Sequence, residues 1–336
     1  MRIIVTGGAG RLGRSVATEL VAAGHNVVSV DRSDPGLPGV EGVVAELLDH
    51  DATHERFAAL QPDAVVHLAA IAVPFSAPEH VILSVNQSLA FTVLTAGIAA
   101  GATRVLAASS PTVIGYGAPH GWAPEALPLT ETHSVAPWNA YALSKVAIES
   151  TVAMLARAHG DAVVTGAFRP CFVVSPEEWE GAPTQQGHTI VDRLADPALA
   201  AVSLYNYVDA RDAGRFVAAW VEHAAAPHSG AVYFVGADDA LALEPLSALL
   251  PAMVPSAAGF AETLDDRSAA FSSAKATADL GWRPRHDWRS ALSPTERARL
   301  DGLLAADGRP RHHATTDTQT TTPAQTQTHT PSTTTR

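Results

Sequence analysis

The sequence predicts an α/β protein built on a doubly wound parallel sheet. Three observations carry this. Short β-branched runs alternate with longer helical stretches through the first half of the 336 residues, the pattern of a parallel sheet with helices on both faces. A glycine-rich turn, Gly7-Gly8-Ala9-Gly10-Arg11-Leu12-Gly13, joins the first run to the first helical stretch. An acidic residue, Asp31, closes the second run. Right-handed crossovers then put the ligand crevice beyond the carboxyl ends of the strands.

The elements follow in order. Ile3 to Thr6 reads as a strand, and Arg11 to Ala23 as a helix stopped by Gly24, a natural C-cap. Asn26 to Asp31 and Val43 to Glu46 are the next strands, with a short helix over Thr53 to Leu60 and a strand over Ala64 to His67. A long helix runs from Pro78 to Ala100, a strand from Arg104 to Ala108, a helix from Ala140 to His159, and a strand from Ala162 to Phe168. Beyond Phe168 proline and glycine become frequent, and only a helix at Ala210 to Ala225 and a strand at Ala231 to Val235 stand out. Three regions result: 1–168 as the sheet domain, 169–305 as a smaller interleaved lobe, and 306–336 as a Thr-rich disordered tail.

Composition narrows the function classes. The chain is 47% apolar and 17% charged, with 22 basic against 34 acidic residues and a net charge of −12. That is globular composition, and it argues against a nucleic-acid partner, which calls for basic patches. No apolar run reads as long enough to span a bilayer, and the N-terminus enters a strand pattern directly, so a cytoplasmic location is expected. A single cysteine, Cys171, excludes a disulfide framework and a cysteine-built zinc site, and no metal is expected. The tail sets Arg309, Arg311 and Arg336 against Asp317, so the acidity belongs to the folded body.

The glycine turn suits a dinucleotide. Gly7, Gly10 and Gly13 supply a tight turn, room for a pyrophosphate and close helix-to-strand packing, and the helix N-terminus adds free N–H groups. Arg11 and Leu12 lie in the same loop. The Asp31 carboxylate suits the adenosine ribose hydroxyls and repels a 2′-phosphate. The neighbouring Arg32 suits a 2′-phosphate. NAD is therefore the expected cofactor, with NADP left open.

A second constellation supplies chemistry. Tyr141 and Lys145 are four apart on one helix, hence on one face. An ammonium beside a phenol favours the phenolate, which suits Tyr141 to general acid/base work. Ser109 and Ser110 follow the fifth strand at its carboxyl end, where a hydroxyl polarises a substrate oxygen. Capping is the plainer reading for these serines and for Thr112.

In sequence order these pieces resemble the extended short-chain dehydrogenase/reductase family, the NAD-dependent epimerase/dehydratase group, over about residues 1 to 290. The glycine turn is similar to TGxxGxxG, His67-Leu68-Ala69-Ala70 to HxAA, and Ser109 to Gly115 to SSxxVYG. Tyr141 and Lys145 match YxxxK, Phe168-Arg169-Pro170 resembles LRP, Val208-Asp209 the VDD segment and Leu280-Gly281-Trp282-Arg283-Pro284 the LGWxP segment. Asn86 sits where the family has an asparagine in the long helix. The resemblance implies a Rossmann-type domain with a substrate lobe and hydride transfer to or from a sugar-like hydroxyl or carbonyl. It implies Tyr141 as acid/base, Lys145 tuning it and holding the ribose, and Ser110 as the catalytic serine. Leu68, Ala69 and Ala70 then lie along the cofactor, and Glu46, followed by Leu47, takes the place of the aspartate at the adenine. It also implies a homodimer through the two long helices.

The departures concern substrate. Phe172 replaces the asparagine usual in nucleotide-sugar enzymes, and Ile114 the tyrosine of VYG. The Ser-Ser-x-x-x-Ile-Gly-Tyr run is similar to uronate dehydrogenases, whose substrate carboxylate needs a partner; His120, Arg169 and Arg211 are the candidates. Thr112, Phe172 and Arg211 are the expected substrate contacts. An epimerase or dehydratase with retained NAD is the alternative, and a non-catalytic dinucleotide sensor a third reading.

Overall fold

The computed structural model describes residues 1–308. The expected tail, 306–336, lies outside the described residues from 309 onward. Ala306 is still helical, ending the final helix Pro294–Ala306.

The sheet is built from β1 (Arg2–Thr6), β2 (Asn26–Asp31), β3 (Val40–Val44), β4 (Ala64–His67), β5 (Arg104–Ala108), β6 (Val164–Pro170) and, after two short strands, β9 (Ala231–Val235). Its order is β3-β2-β1-β4-β5-β6-β9, and every pairing is parallel. The order reverses between β1 and β4, the switch point where such sheets bind ligands. The short strands β7 (Val173–Val174) and β8 (Val208–Asp209) pair with each other. The expected division at 168 falls inside β6, and β9 returns from beyond it to extend the same sheet.

Side-chain alternation explains the layering. Ile3, Val5, Ala64 and Val66 pack on one face with Val16 and Leu20 of α1 (Arg11–Ala22). Ile4, Val65 and Val105 pack on the other with residues of α2 (His50–Leu60), α3 (Glu79–Ala99) and α4 (Ala140–His159). Three short helices follow β7: α5 (Pro176–Trp179), α6 (Ile190–Ala195) and α7 (Pro197–Ala201). α8 (Ala210–His223) then joins α1, sending Phe216 and Trp220 into the first face's core.

Several expected boundaries move. The third strand lies at Val40–Val44 instead of Val43–Glu46, because Val40 pairs with Val27 and Val44 with Asp31. α2 begins at His50 instead of Thr53, capped by Asp49, whose carboxylate accepts from Ala52 N at 3.1 Å. One expectation is overturned on membrane length. α3 is long and apolar enough to cross a membrane by length and composition, with mean hydropathy 1.6, because its charges sit only at its start. Half of that stretch is buried inside the protein.

Candidate active site

A cleft of about 690 Å³ opens at the carboxyl end of the sheet, within the roughly 300–1,000 Å³ range of small-molecule sites. One end is the glycine loop. Gly7 has φ +73°, and a Cβ there would lie 2.7 Å from Ala69 N. A Cβ on Gly13 would lie 2.0 Å from the Gly7 carbonyl oxygen. Both positions therefore require glycine. No side chain caps α1, so its first-turn N–H groups are available to an anion. Gly7, Gly10, Arg11, Leu12 and Gly13 all line the cleft.

Asp31, Arg32, Glu46 and Leu47 line the same end. Asp31 Oδ2 accepts from Ala9 N at 3.0 Å and Oδ1 from Arg32 N at 2.6 Å, which ties its carboxylate to the glycine loop. The Glu46 carboxylate folds back onto Leu47 N at 2.9 Å. Leu68, Ala69 and Ala70 form the floor beyond β4. Asn86, fully buried, clamps that segment: its Oδ1 accepts from Ile71 N at 2.7 Å and its Nδ2 donates to Ser144 Oγ at 3.1 Å.

The middle of the cleft holds Ser109, Ser110, Thr112, Tyr141 and Lys145. Asn139 caps α4, accepting from Ala142 N at 2.8 Å, and so fixes where the Tyr–Lys helix begins. Lys145 Nζ stands 5.6 Å from the Tyr141 ring centroid and donates to the Ala108 carbonyl at 2.9 Å. Burial pulls Lys145 down to about 8, with the charge of Glu149 opposing. Burial pushes the Tyr141 phenol up, with the Ser110 hydroxyl opposing. This reverses the sign expected from the pair alone. The phenol is desolvated, and the ammonium is committed to a backbone carbonyl. Ser110 Oγ accepts from Thr112 Oγ1 at 2.9 Å. Ser109 turns away to Glu149 Oε1 at 2.6 Å, a carboxylate that Arg169 also holds at 2.8 Å.

Phe172 lines the far end. Arg211 does not reach the cleft. Its guanidinium is held by Asp209, and it lines a separate pocket of about 480 Å³ beside α1. Of the other two carboxylate-binding candidates, Arg169 is buried against Glu149 and His120 is exposed on a loop. The far wall instead uses Gln186, Ser203 and Asn206, which carry no motif. Asn206 Oδ1 accepts from Phe172 N at 2.8 Å, so an amide stands next to the position where Phe172 lacks one. Cys171 also lines the cleft, and burial pushes its thiol up, which suits packing and not nucleophilic attack. Arg11 bridges the two sides, pairing with the buried Glu178 and donating to the Pro183 carbonyl at 3.1 Å.

A glycine-cradled cleft at the switch point of a parallel sheet, with a Tyr–Lys helix on its wall, defines a dinucleotide-binding protein of the short-chain dehydrogenase/reductase type. The chain belongs to the NAD dependent epimerase/dehydratase family, whose model matches residues 3–236.

Individual relatives agree. A UDP-glucose 4-epimerase from Azospirillum brasilense is 33% identical over 47% of this chain and 46% of its own length. A 2'-dehydrokanamycin reductase from Streptomyces kanamyceticus is 32% identical over 45% of this chain and 38% of its own. The chain thus spans less than half the length of these curated relatives. Two solved structures share the fold. A short-chain dehydrogenase/reductase superfamily protein from Agrobacterium tumefaciens, with bound NAD, has TM-score 0.64 and 24% identity, covering 92% of this chain and all of that one. UDP-glucose-4-epimerase from Stenotrophomonas maltophila, with NAD and formylated UDP-arabinopyranose, has TM-score 0.65 and 19% identity, covering 91% of this chain and 99% of that one.

Proposed function

We propose that this chain is an NAD-dependent oxidoreductase acting on a sugar-like hydroxyl or carbonyl, with Tyr141 as acid/base. The observation that carries the reading is convergence: the glycine cradle and the Ser110–Tyr141–Lys145 group line one continuous cleft. NAD, when bound, supplies the hydride acceptor or donor. Gly7, Gly10, Gly13 and the α1 N–H groups would hold its pyrophosphate, and the Asp31 carboxylate would take ribose hydroxyls. NAD is preferred to NADP because Asp31 is fixed by two backbone N–H groups while Arg32 is exposed.

Tyr141 gives its proton to the carbonyl oxygen in reduction, or takes the hydroxyl proton in oxidation. Its burial favours the protonated phenol, which suits the donor role at neutral pH. Ser110 hydrogen-bonds the reacting oxygen, and Lys145 steadies the phenol and the nicotinamide ribose. Thr112 orients Ser110, and Phe172 lies against the substrate. Residues 169–305 act as the substrate lobe.

The test is Tyr141→Phe. Turnover falls roughly 10²–10⁴-fold while NAD binding persists; unchanged turnover with a substrate panel read by NADH absorbance would sink the assignment. A second reading, an epimerase that keeps its NAD, is favoured by the Arg11–Glu178 bridge across the glycine loop. Protein purified with NAD in place and producing no net NADH would decide for it.

The exposed apolar residues Phe91 on α3 and Leu143 and Met154 on α4 support a homodimer through these helices. A lone, buried thiol suits a reducing, cytoplasmic compartment.

A further inference from the structure

Glu149 is a largely buried acid that the proposed chemistry does not use. It lies on α4, one turn beyond Lys145 and two beyond Tyr141, on the same side of the helix. Its side chain is 11% exposed. Its Oε1 accepts from Ser109 Oγ at 2.6 Å and from Arg169 Nε at 2.8 Å, and its Oε2 accepts from Arg169 Nη2 at 2.8 Å. The Arg169 guanidinium is itself buried, its carbon 5.0 Å from the ring centroid of Phe234 on β9. One carboxylate therefore ties together α4, the end of β5 and β6. Each of the three carries part of the cleft: α4 carries Tyr141 and Lys145, Ser109 precedes Ser110, and Arg169 precedes Pro170.

A buried ion pair is weak ground for stability, because apolar side chains of similar volume often hold a fold as well. It does fix a charge in place. The cation beside that charge is Lys145. Its ammonium is buried and donates to the Ala108 carbonyl at 2.9 Å. Burial draws it down to about 8 while the charge of Glu149 holds it up, so it stays protonated at neutral pH by a narrow margin. The other groups around it give no such support. On β4, burial pulls His67 down to about 3, so its ring is uncharged at neutral pH. Tyr141, on the same helix, keeps its proton. Arg169, on β6, is a cation, and the charge of Glu131, in the loop before α4, is set against Arg169.

We propose that Glu149, pinned by Ser109 and Arg169, is a positioning residue that fixes the Lys145 ammonium in charge and in place beside Tyr141. This rests on the oxidoreductase reading and deepens it at the same site. Without the carboxylate, a larger share of Lys145 is the neutral amine at neutral pH, and the positive charge that favours the Tyr141 phenolate is lost with it. Ser109 and Arg169 act through Glu149 and do not meet the substrate.

The chain has two lysines, Lys145 and Lys275, so lysine labelled with carbon-13 at the ε-carbon gives two NMR signals, and Lys275→Arg assigns them. The full chain, with NAD added to saturation, is titrated from about pH 6 to pH 10.5. In Glu149→Gln the Lys145 midpoint falls by about one pH unit or more. Glu149→Asp, which keeps the charge, restores part of the difference. D-glucuronate, D-glucose and UDP-glucose are then tried as substrates by NADH absorbance. For a probe that turns over, Glu149→Gln lowers kcat roughly tenfold or more while KM stays within about twofold. An unmoved midpoint overturns the proposal, as does a lowered midpoint with unchanged kcat. So does a fall as large in Glu149→Asp as in Glu149→Gln, the mark of a packing defect. If Glu149→Gln does not fold, Glu149→Gln together with Arg169→Met, which leaves neither ion unpaired, decides by the same downward shift. Turnover by the unaltered protein, with a midpoint that Glu149→Gln leaves alone, keeps the oxidoreductase reading and removes this one. A midpoint that follows Glu149 with no turnover of any probe leaves the hold of Glu149 on Lys145 standing and counts against that reading.

Discussion

At the scale of single residues, the glycine loop and Lys145 make the sharpest demands. A methyl at residue 13 would press on the Gly7 carbonyl oxygen from 2.0 Å and on Gly8 Cα from 2.7 Å, and both atoms belong to backbone that cannot move aside. Gly13→Ala therefore lowers stability by about 1–3 kcal/mol and weakens NAD binding; urea unfolding and a dinucleotide titration measure the two effects. Lys145 makes a pH prediction. Its folded-state value is about 8 against an ordinary 10.5. Between those values the unfolded chain holds a proton that the folded protein does not, so the contribution of Lys145 to stability rises with pH across that window. The gain is about 3 kcal/mol. Unfolding free energies of the unaltered protein and Lys145→Met, measured from pH 7.5 to 10.5, should diverge in favour of the unaltered protein. A constant difference would refute the sign.

Elements were legible where one-sided burial marks them, and less so at their ends. The β1 run and the α4 helix stand in the sequence nearly as they fold, because their apolar positions and caps coincide with their limits. β3 is an edge strand with mostly exposed side chains, so its apolar pattern cannot show where it begins. The early start of α2 was signalled by Asp49, a capping residue easily read as loop. The bridge from Arg11 to Glu178 had no sequence signal, since 167 positions separate the two. It fastens the start of α1 to α5 beside the glycine-loop end of the cleft. Glu178→Gln should speed NAD release roughly threefold to tenfold, read by stopped-flow fluorescence. An unchanged off-rate would show that the bridge only packs the lobe.

Over the whole molecule, the glycine-loop half of the candidate site was readable and its far wall was not. The first comes from contiguous turns whose geometry needs particular residues. The second is assembled from Phe172, Gln186, Ser203 and Asn206, scattered over loops and short elements whose ordinary polar types become a wall only after folding. The outer faces of α3 and α4 pose the remaining question. If they pair two copies of the chain, a charge at the exposed Phe91 should break the pairing. Phe91→Glu would then run as a monomer in light scattering where the unaltered protein runs as a dimer.

The return of β9 to the sheet has a consequence for dissecting the chain. It is the only described neighbour of β6 on that side. A fragment ending at residue 168 would lose the last two residues of β6 and leave its outer row of backbone N–H and carbonyl groups bare. Such an edge recruits strands from other molecules. Residues 1–168 are therefore not a portable module, and expressed alone they would be expected to aggregate.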